Sequence, residues 1–219
     1  MKPKHPVSTP SRPDRNATKA LGKTKPLVVR SGAGEVRIIG GLWKRTRLRV
    51  PDLQGLRPTP DRVRETLFNW LGQDLRGWRC VDAFAGSGAL GLEAASRGAA
   101  QVLMVEQHPV LVDQLRRVQT RLDAVAVHIT CGDGISVMEQ LAAASMDLLL
   151  LDPPFESRRF KDALQAAAHA VAPSGFVYLE APRAWNDEEL EALGLMRARY
   201  LRAGAVHAHL LKARAPTVA

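Results

Sequence analysis

Cys80-Val-Asp-Ala-Phe-Ala-Gly-Ser-Gly-Ala-Leu-Gly-Leu-Glu93, followed shortly by Ala99-Ala-Gln-Val-Leu-Met-Val-Glu106, decides the fold. The first five residues, Cys80 to Phe84, read as a short apolar strand. Ala85 to Gly88 is a glycine-punctuated turn, Ala89 to Arg97 a helix, and Gln101 to Glu106 a second buried strand that ends in a carboxylate. This is a βαβ unit of the nucleotide-binding kind. Gly86 and Gly88 allow a sharp turn and close approach of a ligand, and the helix start offers unpaired N–H groups. Glu106, about 20 residues beyond the turn, stands where an acid takes two ribose hydroxyls.

Gly86-Ser87-Gly88-Ala89-Leu90-Gly91 also fits the Gly-x-Gly-x-x-Gly spacing of dinucleotide folds, so spacing alone leaves NAD open. Asp82 argues against it. A carboxylate at the turn would repel a pyrophosphate but can accept from an ammonium group. S-adenosylmethionine carries an ammonium and a ribose and no phosphate.

The 219 residues give room for one α/β domain and a small appendage. No apolar run approaches a membrane span and the polar start lacks a secretion signal, so the cytoplasm is the expected compartment, without membrane. The two cysteines, Cys80 and Cys131, support neither a disulfide scaffold nor a cysteine zinc site. With 31 basic residues against 22 acidic ones, the net charge of +9 favours a polyanionic partner.

Residues 1–29 hold many Lys and Arg, with Pro, Ser and Thr and a single acid, Asp14. They read as a disordered basic arm. Residues 30–56 form a second unit, a hairpin from Val36 to Val50 that turns at Gly40-Gly41. Its basic residues Arg37, Lys44, Arg45, Arg47 and Arg49 crowd around Trp43, a composition suited to a nucleic-acid backbone. A plain edge hairpin with charges against aggregation is the alternative. Residues 57–219 form the main domain. Its first helix is expected to be capped by Thr59 with Pro60 at the first helical position, stopped by Gly72, and packed through Val63, Leu67, Trp70 and Leu71. Arg57 and Thr59 precede that buried stripe and are free to face a ligand.

Further along, a helix starts at Pro109 and a third strand runs from Val127 to Thr130 into Cys131-Gly132-Asp133-Gly134. In an open parallel sheet ligands sit beyond the carboxyl ends of strands, which directs Asp133 into the crevice of Asp82 and Glu106. There it can accept from an adenine amine, or it can cap the helix Ile135 to Ala143. Met146-Asp-Leu-Leu-Leu-Leu151 is a doubly covered strand that ends in Asp152-Pro153-Pro154-Phe155. Two prolines remove two N–H donors and leave carbonyls beside an acid and an aromatic ring. Such a loop can accept both hydrogens of a planar exocyclic amine and stack its base on Phe155. A turn with a core Phe is the competing reading. A helix from Ser157 to Val171, a strand from Phe176 to Glu180, a short acidic helix from Asp187 to Leu193 and a hairpin about Gly204 complete the chain. The hairpin's second strand is expected to run antiparallel. His207 and His209 share one face of it, without a third ligand for a metal.

Four segments together resemble the RsmD family: Asp82-Ala-Phe-Ala-Gly-Ser-Gly88, Arg57-Pro-Thr-Pro-Asp-Arg-Val-Arg-Glu65, the Val36-Arg-Ile-Ile-Gly-Gly41 hairpin and Asp152-Pro-Pro-Phe155. The resemblance covers roughly residues 35–212. It implies a class I S-adenosylmethionine-dependent methyltransferase, a Rossmann-like α/β fold with a seven-stranded, mostly parallel sheet, an antiparallel last strand and an N-terminal β-hairpin. It implies methylation of the N2 amine of a guanine in 16S ribosomal RNA of the small subunit or its assembly intermediate. The cofactor residues it suggests are Arg57, Thr59, Asp82, Phe84, Gly86, Ser87, Gly88, Glu106, Gln107, Gly132 and Asp133, with catalysis at Asp152, Pro153, Pro154 and Phe155 and the hairpin on RNA. A monomer without metal is expected. The rivals are a DNA or RNA adenine-N6 methyltransferase, a non-catalytic ribosome-assembly RNA-binding protein and, more weakly, an NAD oxidoreductase.

Overall fold

In the computed structural model, which describes residues 34–50 and 59–214, the 80–106 stretch supplies two neighbouring strands of a seven-stranded sheet. In chain order the elements are β1 (Glu35–Arg37), β2 (Arg47–Arg49), α1 (Asp61–Trp70), β3 (Arg79–Asp82), α2 (Ala89–Ser96), β4 (Gln101–Glu106), α3 (Pro109–Leu122) and β5 (Val127–Cys131). They continue with α4 (Gly134–Glu139), β6 (Met146–Leu151), α5 (Phe160–Ala170), β7 (Val171–Ala181), α6 (Asp187–Glu191), β8 (Leu195–Ala203) and β9 (Val206–Ala213). The sheet order is β5-β4-β3-β6-β7-β9-β8. The first five of these are mutually parallel, and β9 inserts antiparallel between β7 and β8. β1 and β2 form a separate antiparallel ribbon.

Alternation along the strands divides the core between the two faces of the sheet. Cys80, Met104, Leu148, Leu150 and Tyr178 join one core with the hairpin residues Val36, Ile38, Leu48 and Val50 and with α1 and α2. Val81, Leu149, Leu151, Val177 and Leu179 join the other with α5, Trp185 and Leu190. Every residue of α2 is buried, because the helix lies between the sheet and the hairpin. At Gly91 the approach to the sheet leaves no room for a side chain: a Cβ there would stand 2.9 Å from both an Asp82 oxygen and Met104.

Several expectations need correction. Thr59 does not cap α1; the residue before the helix is Pro60, with no side-chain cap, and Asp61 is the first helical residue. The buried stripe uses Phe68 and, unexpectedly, Arg64, whereas Trp70 is only half-buried. The hairpin does not turn on Gly40-Gly41 as a two-residue corner. A long loop, residues 38–46, joins the strands, and the glycines let its backbone lie against α2, where a Cβ on Gly41 would come 1.8 Å from the Ser96 carbonyl oxygen. α5 begins at Phe160 rather than Ser157, since the Ser157 N–H is turned back onto the Pro154 carbonyl (2.8 Å). Strand pairing on β7 resumes at Phe176 after a register shift, with Pro173-Ser174-Gly175 bulged past the Met146 and Asp147 carbonyls. The basic arm and Arg57 lie outside the described residues.

Candidate active site

Four acids crown the carboxyl ends of neighbouring strands: Glu106 on β4, Asp82 on β3, Asp152 just past β6 and Glu180 on β7. Each follows by two residues a side chain of the hairpin-side core (Met104, Cys80, Leu150 and Tyr178), so period-two alternation sets all four on that face. Leu151 is in register with Leu179, which brings Asp152 beside Glu180.

Like charges in a row of this kind are costly unless donors reach them. Glu106 is well supplied, since its Oε2 accepts from Gly86 N–H (2.9 Å) and its Oε1 from His108 N–H (2.8 Å), which fixes the carboxylate under the glycine corner. Gly86 and Gly88 hold left-handed backbone (φ 51° and 83°), the conformation that the corner requires. Asp82 is fully buried. It accepts from Gly91 N–H at 2.8 Å through Oδ2, while its Oδ1 has no partner. Burial, reinforced by Glu106, raises its carboxyl to about 7. The side chain thus turns beneath α2 rather than into the turn, and only Oδ1 is left for a ligand.

Asp152 and Glu180 share one short donor. Thr59, itself buried, gives its hydroxyl to Glu180 Oε1 at 2.7 Å and stands 3.5 Å from Asp152 Oδ2. Tyr178 O–H donates to the same Glu180 oxygen at 2.9 Å. Burial, then the charges of Glu180 and Asp82, push the Asp152 carboxyl well above the usual carboxylate range. Glu180 is also raised by burial, against the hydroxyls of Thr59 and Tyr178 and the charge of Arg64. Such a pair titrates as a unit. Next to it, Pro153 is buried, Phe155 stands 37% exposed, and the Pro154 carbonyl is occupied by Ser157 N–H. The Pro153 carbonyl has no protein donor among the described residues.

On the other flank, Gly132 N–H donates to the Glu106 carbonyl (3.0 Å), and a Cβ on Gly134 would strike the Ala83 carbonyl, so the β5 loop lies against the β3 corner. Asp133 caps α4 through Ser136 N–H (3.2 Å) and hydroxyl (2.8 Å) and meets Arg159 at 3.1 Å. Partial burial opposes its charge, but the Ser136 donors and Arg159 outweigh that and hold it below the usual range. Phe84, Ser87 and Gln107 stand in the corner segments that frame this edge. Both ring nitrogens of His209 are spent on backbone, Nε2 on Trp185 N–H (3.2 Å) and Nδ1 on the His207 carbonyl (3.1 Å). The described residues contain no group of three potential metal ligands and no helix long and apolar enough to cross a membrane.

Of the proposed RNA contacts, Arg37, Lys44, Arg45, Arg47 and Arg49 are exposed, whereas Trp43 packs partly into the core. Arg37 pairs with Asp61 and Arg47 with Glu35. Sequence reasoning missed Glu180 and the cluster around Glu93. The signal for Glu180 was present: an acid at a strand's carboxyl end, the same pattern that singled out Asp82 and Glu106.

The family model described as Conserved hypothetical protein 95 matches residues 36–212. The chain belongs to this family, the RsmD family. An Escherichia coli K12 relative, Ribosomal RNA small subunit methyltransferase D, is 40% identical over 152 residues, covering 68% of this chain and 76% of its own. A solved Escherichia coli chain described as a candidate methyltransferase superposes with a TM-score of 0.71 at 31% identity, covering 83% of this RsmD-family chain and 99% of that one. A solved Haemophilus influenzae chain described as a candidate methylase gives 0.68 at 29% identity, covering 83% and 100%. The class I methyltransferase fold expected from the sequence is the fold found.

Proposed function

We propose that this chain methylates the exocyclic N2 amine of a guanine in 16S ribosomal RNA of the small subunit, with S-adenosylmethionine as donor. RNA methylation agrees with the named relatives; the base, the atom and the residue roles are the further step. One observation carries the reading: Asp152 heads a rigid Pro-Pro-Phe loop in the same row of acids as the glycine corner, two strand ends from Glu106.

The residues suit the donor. Asp82 Oδ1 is a buried acceptor without a partner, which a cationic ammonium satisfies, and Glu106, anchored by two N–H groups, keeps lone pairs for ribose hydroxyls. Asp133 and Gly132 flank the place for the adenine. When bound, S-adenosylmethionine supplies a methyl group made electrophilic by its sulfonium. The protein's task is then alignment and electrostatics. Asp152 and the Pro153 carbonyl accept the two amine hydrogens, Phe155 stacks the base, and Thr59 and Glu180 position Asp152. Once methylated, the amine nitrogen would become acidic, and Asp152 would take its proton for release to solvent. The target guanine must be unpaired or flipped to enter.

The test is transfer of tritiated methyl to small subunits, deproteinised 16S RNA and DNA in parallel, followed by nucleoside analysis. N2-methylguanosine in the RNA is expected, and N6-methyladenosine or label only in DNA would replace the assignment. Asp152→Ala should bind donor normally and lose at least about 100-fold in rate, a typical size for a positioned acid–base group.

A further inference from the structure

The hairpin does not place its loop at the catalytic edge. Its loop docks on the carboxyl end of α2: Leu42 N–H donates to the Ser96 carbonyl (2.7 Å), Trp43 N–H to Ser96 Oγ (2.9 Å), and Gly40 N–H to Glu93 (2.7 Å). The cofactor corner is at the other end of that helix, roughly 12 Å away along eight residues. A strand that delivers its base to Phe155 therefore needs a grip elsewhere.

On the opposite face of the sheet a groove of about 620 Å³ opens between the 155–161 segment and the 182–193 segment. None of the four acids lines it; Phe155 does, as the wall it shares with the Asp152 loop. Its floor is Trp185, 7% exposed, whose backbone N–H is tied to His209. The Arg183 guanidinium lies over the Trp185 ring at 4.6 Å and is fixed by both Glu189 oxygens (2.8 and 3.0 Å), yet its side chain stays 54% exposed. This is a flat, cationic, immobilised plate, a surface on which nucleobases stack. Glu189, the acid of the lining, is consumed by Arg183. Arg158 and Lys161 on the rim are exposed and form no ion pair among the described residues. Unpaired cations beside a stacking surface match a single strand, whose phosphates and bases alternate.

We propose that this groove is a second RNA contact, which holds the single-stranded stretch flanking the target base. The proposal rests on the methyl-transfer reading above and adds a binding surface to it. A base turned into the Asp152 pocket forces its neighbour out of the stack, and the groove receives that neighbour on Arg183 with its phosphates toward Arg158 and Lys161.

The test compares the full chain with Arg158→Glu/Lys161→Glu on small subunits and on deproteinised 16S RNA. Expected is a KM at least about tenfold higher for both at moderate salt, with saturated rate and donor affinity retained. The slope of log affinity against log salt should shrink by about 1.4, for two phosphate contacts on a single strand. Unchanged KM and slope would overturn the proposal, and so would a KM raised only for subunits, which would make the partner a ribosomal protein. Should the reversal variant lose donor binding through misfolding, Arg158→Ala/Lys161→Ala carries the same readouts at about threefold, and Arg158→Lys/Lys161→Arg should restore the wild-type KM. Filter binding of the same RNA reads the groove without methyl transfer. A wild type that binds RNA there but methylates nothing would undo the reaction assigned above and leave the groove standing.

Discussion

Two buried polar clusters touch the segment that enters α1, and they are built on opposite principles. Around Glu93 charge is balanced and hydrogen bonds are abundant. Its carboxylate accepts from Ile39 and Gly40 N–H, from the Arg97 guanidinium at 3.0 and 2.8 Å, and from Arg64 at 3.4 Å, while Arg64 also meets Asp61 at 2.7 Å. Around Asp152 there are acids and only hydroxyl donors, Thr59 and Tyr178. The first arrangement is satisfied and fastens the hairpin to α2. The second carries raised carboxyls and an acceptor without a protein donor, the state expected of a site waiting for an amine. The two are joined, since Arg64 Nε donates to the Thr59 carbonyl at 3.3 Å, so the fastened cluster orients the hydroxyl that serves the unsatisfied one.

That contrast can be broken at either end. Glu93→Ala should cost about 3–5 kcal/mol in chemical unfolding, because it strands two buried guanidinium groups. Glu93→Gln should cost less, and a loss below about 1 kcal/mol in both would show that the cluster is not what holds the hairpin. Thr59→Val removes the shared donor of the acid pair. We expect about 1–2 kcal/mol of lost stability, together with a higher apparent pKa for methyl transfer, and an unaltered pH profile would show that Thr59 acts only in packing.

Asp82→Asn should have the most specific pH signature. The unfolded carboxyl ionises near 4 and the folded one near about 7, so across that window the folded chain holds an extra proton and stability falls as pH rises, by at most about 1.4 kcal/mol per unit. The variant's melting temperature relative to wild type should therefore climb between pH 5 and 7.5 while donor affinity drops. A difference that stays flat with pH would contradict the burial of an uncompensated acid.

The sheet was legible because its cues are local. Continuous apolar runs such as 146–151, glycine corners and strand-end acids need no knowledge of partners. Three of the four acids in the row were legible, Asp82 and Glu106 as strand-end acids on either side of a glycine-rich unit and Asp152 by the two prolines that follow it. Glu180 has the same strand-end position, but its pairing with Asp152 comes from the register of β7 against β6. Thr59 was misread for the opposite reason. A threonine before a helix is a good local cap, and a long-range bond to Glu180, 121 residues away, took the hydroxyl instead. Arg64 and Glu93 drew no reading from the sequence, because nothing in their neighbourhood shows that the hairpin covers them.

The most direct test of the central claim, that Asp152 works from within an unbalanced acid pair, is the single-turnover pH–rate profile of Glu180→Gln beside wild type. Asp152 must be ionised to take the amine proton, and the Glu180 charge helps hold its carboxyl high, so removing that charge should move the acidic limb of the profile to lower pH. An acidic limb that stays in place, with the rate otherwise preserved, would contradict the account.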